Sequence, residues 1–205
     1  DSKFLEDSDY KGLIATSSNR RQAQWLKKYP NFSISDIRGN VQTRLRKLNE
    51  SNWDAAIFAS AGLERLGLND IIAQKLDWMI PAPAQGAVAI EVNDERNDIL
   101  DIVKSINHSD TFESVKIERD TLEKYGGGCH QKIGVSNEKT IFGDIFTIKG
   151  ITDDNVVLNT RKINRESKNE DLWKSISSEN IFPLNLEKYN IFTRQEIRKN
   201  IKGLI

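Results

Sequence analysis

Short apolar stretches alternate with amphipathic stretches through the first third of the chain. The apolar ones are KGLIATSS, FSISDIR and WDAAIFASAG, and the helix-like ones between them are RRQAQWLKKY and VQTRLRKLNE. Short β-like runs separated by helices of about ten residues are typical of β-α units that build a parallel sheet. The pattern predicts an α/β lobe, with Ala23, Leu26 and Trp25 on the sheet-facing side of the first helix.

A different pattern follows the glycine at position 67. The stretch NDIIAQKLDWM is helix-like, IPAPAQG contains two prolines that make a stiff connector, and AVAIEV at residues 87–92 predicts a buried strand. Residues 94–107 and 110–125 predict two helices. From Lys132 onward the chain alternates, which predicts a small antiparallel sheet with turns at Asn137-Glu138 and Asp153-Asp154. The segment EDLWKSISS predicts a further helix.

Hydroxyl-bearing, basic and very small residues stand where the predicted parallel strands end. The carboxyl ends of parallel strands meet at one edge of a sheet, and helix N-termini there attract anions. Arginine also matches carboxylate and phosphate in two-point geometry. An anion site is therefore one interpretation; the other is a capped helix with solvated arginines and tight helix-to-sheet packing at ASAG. The residues concerned are Thr16, Ser17, Ser18, Arg20, Arg21, Arg38, Arg44, Ala59, Ser60, Ala61 and Gly62.

Composition narrows the class of partner. Thirty Lys+Arg balance thirty Asp+Glu, so a formal net charge of zero argues against nucleic-acid binding. The single cysteine excludes an intrachain disulfide, and the sequence has neither a signal-peptide pattern nor a long apolar run. These features predict a cytoplasmic protein away from the membrane. The polar start at Asp1, without an initiator Met, predicts a cut inside a longer protein.

Three glycines precede the lone cysteine, Cys129, and His130 follows it. Such a loop can bring its backbone close to a ligand and leave the thiol accessible, whereas an isolated cysteine is more often a small buried hydrophobe. A Cys-His nucleophile pair is disfavoured, because neighbouring side chains in an extended loop point apart. One cysteine and two histidines offer no metal-site spacing, so no metal is expected.

Six ordered blocks resemble hydroxymethylbilane synthase, also called porphobilinogen deaminase, an enzyme family of tetrapyrrole and haem biosynthesis. The blocks are TSSNRRQAQW, DIRGNVQTRLRKLNE, WDAAIFASAGLERLGL, IPAPAQGAVAIE, ERDTLEKYGGGC and the IG at Ile133-Gly134, within a likeness that runs from about Lys11 to Thr160. The resemblance implies the family's second and third domains: an α/β lobe like those of periplasmic binding proteins, with a mostly parallel sheet, then a small α+β domain with an antiparallel sheet. The implied limits are a lobe over residues 1–88, a crossing segment towards a first lobe over 89–107, the α+β domain over 108–180, and a tail over 181–205.

The resemblance also implies a chemistry. Porphobilinogen units condense stepwise, with loss of ammonia, on a dipyrromethane cofactor that Cys129 holds through a thioether. The residues that would bind the carboxylates of cofactor and growing linear pyrrole chain, or line the same cleft, are Thr16, Ser17, Ser18, Arg20, Arg21, Arg38, Arg44, Ala59, Gly62 and Gln85. The family acts as a monomer when complete.

Departures from the family pattern define what is expected of this chain. The family's first lobe and its catalytic aspartate have no counterpart here, so no catalytic residue is assigned and the isolated chain is expected to be inactive. Gly126, His130 and Lys132 replace the family's usual residues around the cysteine. The stretch KYNIFTRQE resembles the opening of uroporphyrinogen-III synthase. The alternative function is a non-catalytic module that binds a polycarboxylate or phosphate and leaves Cys129 unmodified.

Overall fold

A computed structural model describes residues 3–128, 130–140 and 143–164. Its helices and strands follow one another along the chain in an α/β arrangement and then in an antiparallel one. The helices are α1 (Asn19–Lys28), α2 (Val41–Glu50), α3 (Ser60–Glu64), α4 (Asn97–Ser105) and α5 (Ser109–Glu123), with short 3-10 turns at Lys3–Leu5 and Asn69–Ile71. The strands are β1 (Leu13–Ala15), β2 (Ser33–Ser35), β3 (Ala55–Ala56), β4 (Lys132–Thr140), β5 (Gly143–Ile151) and β6 (Val157–Asn164).

The first sheet is parallel, as the alternating pattern predicts. Its strand order is β2-β1-β3, with Ile14 opposite both Ile34 and Ala55. Ile14 is fully buried and packs in a core cluster with Trp25, Phe32 and Ile57. The central strand therefore carries the most buried side chains, and α1 covers it through Trp25.

Side-chain caps fix where the two long helices of this region begin. The Ser18 hydroxyl accepts the N–H of Arg21, and the Asn40 side chain accepts the N–H of Thr43. Such caps satisfy N–H groups that have no partner within the helix. The prediction for the buried face of α1 is partly wrong: Trp25 is buried, but Leu26 is 39% exposed. The polar residues Arg20 and Gln24 lie inside instead, because both bind the backbone of residue 80.

Two predicted elements between residues 69 and 92 are wrong. The predicted helix NDIIAQKLDWM contains only the 3-10 turn Asn69–Ile71, and residues 87–92 form no strand. Val88 is 93% exposed and Ile90 55% exposed, so the predicted burial fails as well. A strand needs a neighbour to pair its backbone groups. Among the residues that the structure describes, no strand pairs with residues 87–92.

The second sheet has the strand order β4-β5-β6 and is antiparallel, as predicted. The predicted turn at Asn137-Glu138 is wrong, because both residues lie inside β4. The predicted turn at Asp153-Asp154 is confirmed, and Asn155 completes it with φ of 60°. An asparagine tolerates that left-handed conformation better than most residues.

The chain divides into two compact units. The first comprises residues 1–137 and 147–160, and the second comprises residues 138–146 and 161–205. In the second unit, the Thr140 hydroxyl donates to the carbonyl of Gly143 at 2.6 Å. Cys129, the predicted helix EDLWKSISS and the tail over 181–205 lie outside the described residues. No described helix is long and apolar enough to cross a membrane.

Candidate anion-binding site

The three hydroxyl residues after β1 are held by backbone contacts at the end of the strand. Thr16 is buried, and its N–H donates to the carbonyl of Ser35 at 2.9 Å. The Ser17 hydroxyl donates to the Ile37 carbonyl at 2.7 Å and accepts the Ile37 N–H at 2.9 Å. Ser18 caps α1. These contacts fix the backbone from which the arginine-bearing helix starts.

Arg20 and Gln85 meet directly, although 65 positions separate them in the sequence. Arg20 Nη2 donates to Gln85 Oε1 at 3.3 Å, and Arg20 Nη1 donates to the Ile80 carbonyl at 2.5 Å. Arg20 is only 7% exposed. Burial and then the neighbouring charge of Arg21 lower the pKa of Arg20 to about 10. The fold thus holds a buried positive charge against an amide and a carbonyl.

Arg21 and Arg44 form the second part of the positive cluster. Arg21 Nη1 donates to the Ile57 carbonyl at 2.9 Å, and Arg44 Nε donates to the Gly39 carbonyl at 2.7 Å. Burial and then the charge of Arg44 lower the pKa of Arg21. Each guanidinium has five N–H donors, so these bonds leave donors on both side chains for a bound group.

The remaining predicted residues occupy the loops around these arginines. Arg38 is exposed, and its carbonyl accepts the Lys47 ammonium at 3.1 Å. Ala59 precedes the first residue of α3, and the N–H of Gly62 donates to its carbonyl at 3.0 Å. A side chain on Gly62 would meet Val41 at ordinary contact distance, so no steric crowding explains this glycine.

Within the described part of the chain, none of the four arginines of this site forms an ion pair with a carboxylate. The ion pairs found there, such as Arg46 with Glu50, involve none of Arg20, Arg21, Arg38 and Arg44. Desolvated guanidinium groups that lack an ion-pair partner favour the binding of an anion. The chemistry of this donor set fits a ligand that carries several carboxylates.

A cavity of about 680 Å³ opens beside the buried arginines. Five of the predicted residues line it, and much of the remaining lining is apolar, including Ile14, Trp25 and Leu63. The five are Arg20, Arg21, Ala59, Ser60 and Gln85, while Thr16, Ser17, Ser18, Arg38, Arg44, Ala61 and Gly62 are not among its lining residues. The structure therefore brings part of the predicted set to one cavity and leaves the rest outside its wall.

The glycine-rich loop reaches the start of α1 through a contact that the sequence did not predict. Asn19 Nδ2 donates to the carbonyl of His130 at 3.1 Å. Gln131 is buried, and its Nε2 lies 3.0 Å from Asp153 Oδ2 and 3.3 Å from His130 Nε2. His130 is the residue next to Cys129, which itself lies outside the described residues. In the sequence, only the position of Asn19 directly after the capping serine signals its proximity to the site.

The hydrogen bonds of two amide side chains on α1 were also not predicted from the sequence. Gln22 Nε2 donates to the Thr16 carbonyl at 2.9 Å, and Gln24 exchanges two bonds with the backbone of Ile80. The described residues contain no group of three or more His, Cys, Asp or Glu side chains arranged to hold a metal ion.

Comparison with known proteins finds similarity to one family. Residues 1–101 match the family described as porphobilinogen deaminase, dipyromethane cofactor binding domain. Porphobilinogen deaminase of Trichlorobacter lovleyi is 43% identical over 139 residues, which is 67% of this chain and 44% of that protein.

Two further relatives carry the same name. Porphobilinogen deaminase of Campylobacter hominis is 45% identical over 142 residues, or 67% of this chain and 45% of the relative. Porphobilinogen deaminase of Listeria innocua is 39% identical over 166 residues, which is 77% of this chain and 53% of that protein. The chain spans about half the length of the curated relatives it matches. These matches show that the chain is similar to part of porphobilinogen deaminase.

Proposed function

We propose that this chain is the part of a hydroxymethylbilane synthase that holds the dipyrromethane primer and the growing linear pyrrole chain. Porphobilinogen is the substrate, and each condensation releases ammonia. The reaction serves tetrapyrrole synthesis in the cytoplasm, and the complete protein acts as a monomer. Similarity to porphobilinogen deaminases supports the chemistry, and the arginines without carboxylate partners support a substrate rich in carboxylates.

One contact carries this proposal. The bond from Asn19 to the His130 carbonyl joins the start of the arginine-bearing helix to the residue next to Cys129. A group attached to this cysteine would therefore start close to the hydroxyl and arginine cluster. Asn19 and His130 are 111 positions apart in the sequence, so only the fold explains their proximity.

The dipyrromethane, when bound, supplies the pyrrole on which further units are added. We assign its attachment to Cys129, and its acetate and propionate groups to Arg20, Arg21, Arg38 and Arg44. Thr16, Ser17 and Ser18 hold the backbone beside these arginines, and Ala59, Gly62 and Gln85 form the adjoining wall. Each pyrrole carries two carboxylates, so a chain of several pyrroles needs several guanidinium groups.

We also propose that these 205 residues alone do not complete the reaction. No carboxylate among them is assigned to assist deamination, a role that belongs to an aspartate of the family's first lobe. That lobe is the expected partner of the crossing segment over residues 89–107. The likeness of KYNIFTRQE to uroporphyrinogen-III synthase predicts a fused second enzyme.

The test is the intact mass of the protein, produced with the family's first lobe supplied upstream, followed by peptide mapping around Cys129. A dipyrromethane adduct on Cys129, absent from Cys129→Ser, is the expected result. Arg44→Leu is expected to lower the fraction that carries the adduct. Arg46→Leu is the matched control, since Arg46 lies on the same helix, is exposed and pairs with Glu50.

An unmodified thiol in well-folded protein supplied with porphobilinogen would reject the enzyme. Binding of a polycarboxylate or phosphate without any adduct would then favour the non-catalytic module. An adduct retained in Cys129→Ser would reject the assignment of the attachment site while keeping the enzyme.

A further inference from the structure

A buried carboxylate lies between three segments of the first compact unit. Glu118 on α5 is 9% exposed. Its Oε2 accepts the N–H of Ala84 at 2.7 Å, and its Oε1 accepts the N–H of Asn137 at 2.8 Å. Each oxygen thus binds a different backbone segment. A buried charge is costly unless such bonds satisfy it, so both contacts matter to this residue.

The turn that Glu118 binds is conformationally unusual. Ala84 has φ of 62°, a left-handed conformation that L-residues other than glycine seldom adopt. The N–H of Gln85 donates to the Ala82 carbonyl at 3.0 Å, and Gln85 Oε1 accepts the Ala82 N–H at 3.2 Å. Surrounding contacts must hold a backbone of this kind in place. The bond from the Ala84 N–H to Glu118 is one of them.

The same turn sets the direction of a site arginine. Gln85 Oε1 also accepts Arg20 Nη2, while the carbonyl of Ile80, five residues earlier, accepts Arg20 Nη1. Residue 80 is fixed in turn by Gln24, whose side chain binds its N–H at 2.8 Å and its carbonyl at 3.0 Å. Both ends of the Arg20 guanidinium therefore depend on the segment over residues 80–85.

We propose that Glu118 is a positioning residue for the anion site. Its carboxylate holds the turn at Ala84, the turn presents Gln85, and Gln85 orients Arg20 towards the bound carboxylates. The proposal rests on the proposed function, because it takes Arg20 to be a ligand-binding residue. It also links α5, which leads into the glycine-rich loop, to the arginine-bearing helix α1 through the turn at Ala84.

The carboxylate is essential to this role. In Glu118→Gln, one of the two backbone N–H groups would face an amide N–H instead of an oxygen, while side-chain size is unchanged. A buried donor left without an acceptor loses its hydrogen bond and gains none in return. The matched control is Glu123→Gln, which removes the same charge from an exposed position on the same helix.

The first measurement is porphobilinogen binding by the 205-residue chain, using calorimetry, in wild type, Glu118→Gln, Gln85→Ala and the double variant. We expect Glu118→Gln to weaken binding about tenfold, which corresponds to one charge-assisted hydrogen bond. In the Gln85→Ala background the same change should have little further effect, because the link to Arg20 is already broken. Glu123→Gln should bind as wild type.

The second measurement is the NMR signal of the Arg20 side-chain Nε–Hε group without ligand. We expect it to shift in Glu118→Gln and to stay in place in Glu123→Gln. Additive losses of affinity in the double variant, or an Arg20 signal unmoved by Glu118→Gln, would overturn the proposal.

Failure of the proposed function gives a different result. If wild type does not bind porphobilinogen while the Arg20 signal still responds to Glu118→Gln, the carboxylate-binding role fails and the positioning of Arg20 stands. If Glu118→Gln does not fold, Glu118→Asp is used instead. It keeps the charge, withdraws it by one methylene and should shift the Arg20 signal in the same way.

Discussion

Two segments of this protein carry an apolar, strand-like sequence, and only one of them is a strand. In β1, Ile14 is fully buried, whereas Val88 in residues 87–92 is 93% exposed. Both segments are rich in β-branched and small apolar residues. The difference between them lies in their neighbours, since β1 pairs with β2 on one side and β3 on the other.

Backbone pairing continues one residue past the carboxyl ends of β1 and β3. The N–H of Thr16 donates to Ser35, and the N–H of Ile57 donates to Ala15 at 3.0 Å. Residues 87–92 have no strand beside them among the described residues. An apolar pattern marks a segment as suitable for burial, but a strand forms only where another strand completes its hydrogen bonds. The comparison shows that the presence of a neighbouring strand decides which of the two apolar segments forms a strand.

The sharpest test of this comparison is a pair of alanine substitutions. Ile14→Ala leaves a cavity in the core cluster and should lower the free energy of unfolding by about 3 kcal/mol. Val88→Ala removes a side chain that is already in water and should change it by less than about 0.5 kcal/mol. Urea unfolding of both variants measures the difference. A cost for Val88→Ala close to that of Ile14→Ala would mean that residues 87–92 are buried in solution.

A smaller effect tests the end of β1. Ser17→Ala removes both bonds between the Ser17 hydroxyl and the backbone of buried Ile37. We expect a loss of about 1 to 2 kcal/mol in the free energy of unfolding, because a buried N–H and carbonyl lose their partner. Ser33→Ala, at an exposed position of β2, is the control and should stay within about 0.5 kcal/mol of wild type. Equal stability of the two variants would remove Ser17 as a support of the site.

The smallest effect concerns ionisation beside the start of β1. The Tyr10 hydroxyl donates to Asp54 Oδ1 at 2.6 Å, while Oδ2 accepts the Leu13 N–H at 2.7 Å. The hydrogen bond to Asp54, then burial and the carboxylate charge, raise the pKa of Tyr10. The stabilisation from this bond is therefore present below the pKa of the unfolded tyrosine and is lost as pH rises through the higher folded pKa.

Asp54→Asn should bring the pKa of Tyr10 back towards that of a free tyrosine, as followed by NMR of the ring carbons. Tyr29 serves as the internal control, because burial alone raises its pKa. A Tyr10 pKa unchanged by Asp54→Asn would show that the carboxylate does not accept this bond in solution.

Much of the α/β region was predictable from sequence because local signals agree there. The apolar periodicity and the caps at Ser18 and Asn40 fix α1 and α2, and strand-helix alternation implies a parallel sheet. The clustering of arginines follows from the rule that parallel strand ends converge. The predicted helix over NDIIAQKLDWM failed because periodicity alone does not ensure a helix without packing.

The site was predictable in its residue types and not in its contacts. Sequence alone places Arg20 and Arg21 at a helix start, yet gives no reason for Arg20 to be buried against Ile80 and Gln85. It also gives no hint that Glu118 reaches the turn at Ala84. These contacts join residues 34 to 65 positions apart, a separation at which local patterns carry no information.

The sequence by itself determined the helix starts, the strand-helix alternation, the position of the positive charges and the likeness to porphobilinogen deaminase, because each depends on neighbouring residues or on ordered motifs. The tertiary structure decided which apolar segment became a buried strand, which arginine is buried from solvent, and which loop lies beside α1. Those outcomes depend on partners supplied from distant parts of the chain, and burial and hydrogen-bond completion are properties of the assembled fold.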